Sequence, residues 1–298
     1  MKLVCLADTH LTYKQHQSRR DDCPKVQYAK LDFILSYAME NTDAVLIAGD
    51  VFDKPRDWIL LPYIMDIFKS YKIPKLCVVG QHDMYMYSKE NLWATNLGIL
   101  KKAGLVTILS KDSYSLGDCN FFGMNWGEKE IPQPSKHRPN ILVVHAPIAE
   151  TSIYPGGGYI DVLKFGEKCK DFDLVVCGDI HRRFNVLVGE TRLLNSGPLM
   201  RRTSEEYNFG YEPGFWVYDT NDKSVTPVSV PHSPAIEVLD RSHIEKNIET
   251  KERYRILITE LSKVKLTDVN LQQNMLVGLE KAKMSLKAKD IVMELINN

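Results

Sequence analysis

The sequence predicts an α/β fold in which two β-sheets pack face to face as a sandwich flanked by helices, an αββα-like layering, with a small α+β appendage at the C-terminal end. Three observations lead there. In the first hundred residues, short apolar runs rich in β-branched residues alternate with stretches of helical apolar spacing. Between residues 114 and 230 a second group of apolar runs follows, punctuated by Gly and Pro. Five of the runs stop abruptly at Gly, Asp or His, which places polar side chains at strand carboxyl ends, where open α/β sheets bind ligands.

In chain order, Leu3 to Ala7 reads as a buried strand. Residues 27 to 40 set Leu31, Ile34, Leu35 and Ala38 at a helical period, and Ala44 to Ala48 is the next strand. Residues 59 to 71 repeat the helical spacing with Leu60, Ile64, Ile67 and Phe68, and Leu76 to Val79 returns to strand. The stretch 84 to 100 reads as a loop carrying Tyr85, Tyr87 and Trp93, which suit either a two-fold contact or closure of the core. Further strands are expected at 114 to 124, 141 to 145, 174 to 177, 185 to 194 and 214 to 230. The Pro155-Gly156-Gly157-Gly158 segment is expected to be a mobile loop, either touching substrate or serving as a plain turn.

The stretch Val230-Pro231-His232-Ser233-Pro234 ends the last core strand, so the expected domains are 1–234, holding the sandwich, and 235–298. In the second, Arg255 to Leu261 reads as a strand, Val269 to Ala282 as an amphipathic helix and Ala288 to Leu295 as a short helix. The apolar face of residues 269 to 295 is open to two readings, a partner's coiled coil or its own strand.

The strand-end blocks are Asp8-Thr9-His10, Gly49-Asp50-Val51-Phe52-Asp53, Gly80-Gln81-His82-Asp83, His145, and Gly178-Asp179-Ile180-His181. Any one alone reads as well as a chance match or a structural residue. Five at the same structural position call for a shared site. Carboxylates and imidazoles converging from several strand ends form the donor set of a two-metal centre, in which divalent ions about 3.5 to 4 Å apart clamp the attacking and leaving oxygens of a phosphoryl group. Asp50, in the middle of the set, suits the bridging position. The glycines at 49, 80 and 178 allow a sharp turn and close approach.

These blocks resemble the pattern of the calcineurin-like metallophosphoesterases, which runs Asp-x-His, Gly-Asp-x-x-Asp, Gly-Asn-His-Asp/Glu, His, Gly-His-x-His. Within that superfamily, Asn195-Ser196-Gly197-Pro198-Leu199-Met200-Arg201-Arg202, followed by Gly214-Phe215-Trp216-Val217, resembles the Gly-Ser-Pro-Leu-x-Arg and Lys-Gly-Phe region of SbcD-type DNA repair nucleases. The match spans roughly residues 1 to 230. The resemblance implies a metallophosphoesterase sandwich in which Asp8, His10 and His181 hold one metal, Gln81, His145 and Asp179 hold the other, and Asp50 bridges. It implies that His82 acts as general acid or stabilises phosphate charge, that Asp83 orients His82, and that Asp53 supports its loop. In-line attack by a hydroxide activated between the two metals, on DNA, follows from the same resemblance. So do an SbcC-type ATPase partner in repair, recombination or replication, a homodimer, and a reduced DNA-capping or partner-binding region in residues 235–298.

Two positions depart from the family pattern. Gln81 stands where the pattern has Asn, and Asp179 where it has His. Both still offer an oxygen ligand, and exchanging a nitrogen donor for an anionic oxygen tilts the site toward manganese or magnesium. Two other functions remain open at this stage: a small-substrate phosphodiesterase or phosphatase, and a non-catalytic scaffold with a degenerate metal site. Residues 195 to 217 argue against the first; the second rests on the two substitutions alone.

Composition sets the outer bounds. The 298 residues, 44% hydrophobic, suffice for one large core with a small appendage. Lys plus Arg and Asp plus Glu are both 38, so no global basic field draws nucleic acid and any DNA contact must be local. The pairs Arg19 and Arg20, Arg182 and Arg183, and Arg201 and Arg202 flank the site loops and are the candidate DNA contacts, against the alternative of solvated surface. Cys5, Cys77 and Cys177 lie in apolar strands, and Cys23, Cys119 and Cys169 are scattered without Cys-x-x-Cys spacing, a reducing-compartment pattern. The first strand begins at Lys2 with no signal-peptide pattern before it, and no stretch is long enough to span a bilayer. A cytoplasmic protein is expected, in the host cytoplasm if the chain is phage-encoded.

Overall fold

Alternation along β1 (Lys2–Leu6) separates two cores: Leu3 and Cys5 point into one, Val4 and Leu6 into the other. The computed structural model describes residues 1–135, 138–152, 158–242 and 254–255. After β1 come α1 (Cys23–Asn41), β2 (Ala44–Ile47), α2 (Leu60–Ser70), β3 (Lys75–Cys77), α3 (Asn96–Lys102) and β4 (Thr107–Ile108). These four strands run parallel. Parallel neighbours need long crossovers, and a helix lies in each of the three. The Asp22 side chain caps α1 by accepting from the Lys25 amide, and Pro24 occupies its first turn, where no amide hydrogen is needed.

The chain continues through β5 (Tyr114–Leu116), β6 (Cys119–Met124), β7 (Asn140–His145), β8 (Ile148–Ala149), β9 (Ile160–Asp161), α4 (Val162–Lys168), β10 (Leu174–Gly178), β11 (Phe184–Val188) and β12 (Thr191–Asn195). It then forms α5 (Glu206–Gly210), β13 (Gly214–Asp219), β14 (Val225–Ser229) and α6 (Ala235–Val238). The first sheet has the order β14-β13-β1-β2-β3-β4, and the second β11-β12-β10-β7-β6-β5. Both are mixed, because β13 and β14 join the first sheet antiparallel and β5 and β11 form antiparallel edges of the second.

Leu3, Cys5, Leu46 and Leu76 of the first sheet meet Phe121, Ile141, Val143 and Val176 of the second in the core between the sheets. On the outer face of the first sheet, Val4, Val45 and Ile47 pack on Leu31, Ile34 and Leu35 of α1, Ile64 and Phe68 of α2, and Leu97 of α3. On the outer face of the second, Leu142, Val144 and Val175 pack on Val162 and Phe165 of α4. Each such Val, Leu or Ile taken fully out of water contributes roughly 1.5 to 3 kcal/mol of transfer free energy. The αββα sandwich predicted from the sequence is the observed architecture.

Three expected strands are hairpins. The runs 114–124, 185–194 and 214–230 each fold back on themselves as β5–β6, β11–β12 and β13–β14. Two of the turns are the dipeptides Gly117-Asp118 and Gly189-Glu190, with φ of +57° and +58° at the glycines. Alternation carries across so short a turn, which conceals the reversal from a periodicity argument. Two short helices were not expected: α3 begins inside the stretch read as loop and α4 in a stretch given no element, each seven residues long and capped by Thr95 or Asp161. The chain divides into two units, Met1–Leu239 and Asp240–Asn298. Arg255, placed in a strand by alternation, is helical. The other elements expected beyond it, and residues 155–157 of the glycine loop, lie outside the described residues.

All six cysteines are free and buried. Burial pushes the thiols up, that of Cys119 to about 11 and that of Cys169 to about 12, so little reactive thiolate forms near neutral pH. A thiol reagent should therefore label less than one cysteine per native chain at pH 8 and all six in denaturant. Rapid native labelling would show that these strands open.

Candidate metal centre

The carboxyl ends of β1, β2 and β3 in one sheet and of β7 and β10 in the other meet across the sandwich. Asp8 and His10 follow β1, Asp50 follows β2, Gln81 and His82 follow β3, His145 ends β7, and Asp179 and His181 follow β10. Asp8, His10, Asp50 and Asp179 all hold positive φ, of 50°, 43°, 46° and 88°. A non-glycine residue in that region costs on the order of 1 to 3 kcal/mol, so the surroundings must enforce it. Several contacts do so. The His10 and Leu11 amides donate to the carbonyls of Asp50 and Val51 at 2.9 and 2.8 Å, and the Asp179 amide donates to Asp8 Oδ1 at 3.0 Å. Gln27 on α1 donates to the carbonyls of Thr9 and His10 and accepts from the Thr12 amide.

Two glycines let the pieces touch. A Cβ on Gly80 would lie 2.1 Å from Asp50 Oδ1, and one on Gly49, itself at φ +78°, would lie 2.3 Å from His145 Nδ1. Both distances are well inside van der Waals contact, so neither position accepts a side chain without moving a candidate ligand.

Asp50 Oδ2 is buried, has no hydrogen-bond partner, and lies 3.6 Å from both His10 Nε2 and His145 Nε2. Asp50 Oδ1 accepts from the His82 amide at 2.9 Å. Asp8 Oδ2 is likewise buried without a partner. His145 Nδ1 faces the Ala48 carbonyl at 2.7 Å, so that nitrogen carries the hydrogen and Nε2 turns inward, 2.7 Å from Gln81 Oε1. In a neutral ring this sets a lone pair against a carbonyl oxygen. His10 and His181 likewise face each other Nε2 to Nε2 at 3.0 Å. Lone pairs aimed at one point require a proton or a cation between them. The ligand atoms form three overlapping clusters: Asp8, His10 and His181; His10, Asp50 and His82; and Asp8, Asp50 and His145. The chemistry of this donor set fits divalent ions, and Asp50 belongs to two of the three clusters.

The charges depend on burial and on one another. Burial pushes Asp8 up to about 8, with Asp50 and Asp179 adding to the effect and His145 opposing it. Burial works against a charged His145, yet the Asp50 and Asp8 carboxylates push it up to about 10. Burial and the Arg202 guanidinium hold His10 well below its ordinary value and His181 down to about 4. Burial alone would raise Asp50, but His145 and His82 outweigh it and hold the carboxyl low. Without a cation, the cage therefore keeps protons on Asp8 and His145 near neutral pH.

The two departures from the family pattern touch each other. Gln81 Nε2 donates to Asp179 Oδ1 at 2.8 Å, which turns Gln81 Oε1 toward His145 and the interior of the cage. The anionic oxygen introduced by Asp179 thus orients the longer amide at position 81.

Some expected roles are corrected. Asp83 does not orient the His82 imidazole. Its carboxylate is fully buried and accepts from the amides of Val51, Phe52 and Gly80, while His82 Nδ1 donates to the Asp53 carbonyl at 2.9 Å. Adjacent residues of a tight turn face opposite ways, so Asp83 ties down the loop beneath while His82 stays exposed. Arg19 and Arg201 are not surface contacts for DNA. Both are buried: Arg19 is forked onto Asp21, and Arg201 donates to the carbonyls of Tyr211 and Ser233. Arg202 faces the cage and pairs with Asp53. Arg182 lies 3.6 Å over the Tyr207 ring, Arg183 lies 4.1 Å over Trp216, and Arg20 is exposed.

The sequence reading passed over Gln27, although it shares the mostly apolar buried stripe of α1 with Leu31, Ile34 and Leu35, a position where a polar residue signals a buried hydrogen-bonding task. It also passed over Asn125, whose side chain accepts from the Val79 amide just before the Gly80 turn.

Residues 1–183 match the calcineurin-like phosphoesterase family. The chain is 27% identical over 225 residues to the DNA double-strand break repair protein Mre11 of Methanosarcina mazei, a match covering 69% of this chain and 34% of the relative. It is 26% identical over 200 residues to the protein of the same name from Sulfolobus acidocaldarius, covering 61% of this chain and 50% of that one. The chain thus spans between a third and a half of these curated relatives. Among solved structures, TT1561 of Thermus thermophilus superposes with a TM-score of 0.50 at 11% identity, over 77% of this chain and 99% of its own, a likeness of fold alone.

Two outcomes are expected. Asp83→Ala strands three buried amide donors and should lower unfolding stability by about 2 to 4 kcal/mol in a denaturant titration; a change below about 0.5 kcal/mol would contradict this role. Metal binding must displace the protons held on Asp8 and His145. Calorimetry with Mn²⁺ should therefore show proton release at pH 7 and an affinity that rises between pH 6 and 8, by about tenfold per unit for each proton displaced. A flat profile would contradict the charge state described.

Proposed function

We propose that this chain, which belongs to the calcineurin-like phosphoesterase family, is the metal-dependent nuclease subunit of a DNA-processing complex. It hydrolyses phosphodiester bonds with manganese, or magnesium, in repair, recombination or replication. The observation that carries this reading is the extent of its likeness to the two archaeal proteins. The M. mazei match runs over 225 residues, beyond the 183 that carry the general family signature, and both relatives are named for DNA double-strand break repair. The segment Asn195–Arg202 is also built into the metal cage: Ser196 Oγ accepts from the Ala7 amide, the Leu199 amide reaches the Asp8 carbonyl at 3.4 Å, and Arg202 pairs with Asp53.

Asp8, His10 and His181 would hold one ion, Gln81, His145 and Asp179 the other, and Asp50 would bridge them. Ions held there supply the positive charge that activates water and offsets charge on phosphoryl oxygens. His82 is exposed beside them, and with its Nδ1–H bonded to the Asp53 carbonyl, its Nε2, when the ring carries a second proton, could pass that proton to a leaving oxygen. A cleft of about 160 Å³ beside His181, lined by Arg182, Arg202 and Tyr207 among others, gives a phosphate backbone a charged track. Acidic Glu205 on its rim keeps the field local.

The chain is further read as a homodimer acting with an SbcC-type ATPase in the cytoplasm. Among the described residues no helix is long and apolar enough to cross a membrane. Trp58, Tyr63, Tyr87 and Trp93 are all at least 60% exposed. Hydrogen bonds from Arg56 to Ala94 and from Asn96 to Pro55 hold the two segments carrying Trp58 and Trp93 together, which suits a two-fold contact. Residues 235–298 are read as the reduced capping or partner-binding region.

End-labelled duplex and single-stranded DNA, incubated with Mn²⁺ or Mg²⁺, should be degraded by the natural chain and about 100-fold or more slowly by His82→Ala. A small aryl phosphodiester is run in parallel. Intact DNA with a hydrolysed ester would favour a small-substrate phosphodiesterase. Failure on both, even with an ATPase partner present, would favour a non-catalytic scaffold.

A further inference from the structure

A second cationic centre lies apart from the metal ligands. Between α1, the segment that follows β12 and the segment that follows β14 is a cavity of about 300 Å³, into which Arg19, Lys30, Arg201 and His232 face together with Asp21. Val26, Ala29 and Val238 give it an apolar wall. Arg19, Lys30 and Arg201 are each more than 90% buried.

Their charges do not balance. Asp21 is the only carboxylate lining the cavity among the described residues, and Arg19 takes both its oxygens, Nε to Oδ1 at 2.8 Å and a terminal nitrogen to Oδ2 at 2.5 Å. Among the described residues Arg201 donates to neutral carbonyls, those of Tyr211 at 2.7 Å and Ser233 at 2.8 Å. Lys30 Nζ reaches the Leu199 carbonyl at 3.3 Å, a long bond for a group with three hydrogens to place. Among the described residues neither Lys30 nor Arg201 has a carboxylate within hydrogen-bonding reach; Asp21 acts on Lys30, and Glu212 on Arg201, only from further off. Buried charges persist where something of opposite sign meets them. The strain shows in Lys30, which burial and the two guanidinium groups push down to about 7.

We infer that this cavity is a binding site for a phosphomonoester, its dianion set between Lys30 and Arg201 and its organic group against Val26, Ala29 and Val238. A phosphate dianion between them would meet both groups, and a planar guanidinium with a mobile ammonium suits its oxygens. The cavity is roomier than inorganic phosphate requires, and its apolar wall gives the remainder a purpose. The site shares no residue with the metal centre but adjoins it through one segment. The Leu199 carbonyl accepts from Lys30 while the Leu199 amide reaches Asp8, and Arg201 turns into the cavity while Arg202 turns to the cage. A free nucleotide and the terminal phosphate of a DNA strand both present this chemistry. The inference stands on the cavity and not on the nuclease reading.

The test is calorimetry on the whole chain stripped of divalent ions by a chelator, which leaves phosphate no cation at the metal centre. Deoxyadenosine monophosphate should bind saturably at one site per chain, and deoxyadenosine should not bind. Lys30→Met replaces a buried ammonium with an apolar side chain of similar length. Without ligand it should melt no lower than the natural chain, and it should bind the monophosphate at least tenfold more weakly. Displacement of the nucleotide by a 5′-phosphorylated oligonucleotide, and not by its 5′-hydroxyl counterpart, would identify a DNA end as the source; no displacement by either would identify the free nucleotide. Absence of saturable binding, equal binding of the nucleoside, or undiminished binding by a folded Lys30→Met chain would overturn the inference.

Discussion

One buried carboxylate oxygen organises this molecule. Asp50 Oδ2 sits 3.6 Å from imidazole nitrogens contributed by two different sheets, with no hydrogen-bond donor of its own. Leaving a carboxylate unsatisfied in a dry interior is costly, and so is aiming several lone pairs at the same point. The arrangement is stable only with positive charge at its centre. In the cation-free chain that charge is protons: burial pushes Asp8 up to about 8, and the neighbouring carboxylates let His145 hold its hydrogen far above the usual imidazole range. Divalent ions held there would do the same work with greater charge.

The sandwich supplies the rigidity this requires. Five strand ends from two sheets converge only because the core between the sheets, built from residues such as Leu3, Leu46, Phe121 and Val176, holds their relative heights. Four of the candidate ligands occupy left-handed backbone. That strain is offset by the cross-strand amide bonds of His10 and Leu11, by the Asp83 carboxylate under the neighbouring loops, and by Gln27 reaching over from α1. The bonds that hold the cage in shape thus mostly cross from one strand-end block to another.

This explains what the sequence could and could not reveal. Strand ends followed by Gly, Asp or His are local signals, so the layering and the residues gathered at the cage were legible. Facing direction within a tight turn is not local, and the adjacent His82 and Asp83 point to opposite sides, one into solvent and one into the core. The burial of Arg19 and Arg201 was equally hidden, because their partners lie far along the chain, 182 residues apart for the Arg19 bond to the Arg201 carbonyl and 32 for Arg201 to Ser233. The three hairpins and the seven-residue helices escaped because turns of two to five residues and two turns of helix leave almost no periodic trace.

The two residues that depart from the family pattern form a contact, Gln81 to Asp179, that holds the amide oxygen toward the cage. The central claim is that this cage binds two ions with Asp50 shared between them. Its most direct test is anomalous diffraction from crystals of the chain soaked in Mn²⁺. The account predicts two peaks about 3.5 to 4 Å apart, one among Asp8, His10 and His181, the other among Gln81, His145 and Asp179, with Asp50 touching both. A single peak, or a second site from which Gln81 and Asp179 turn away, would contradict it.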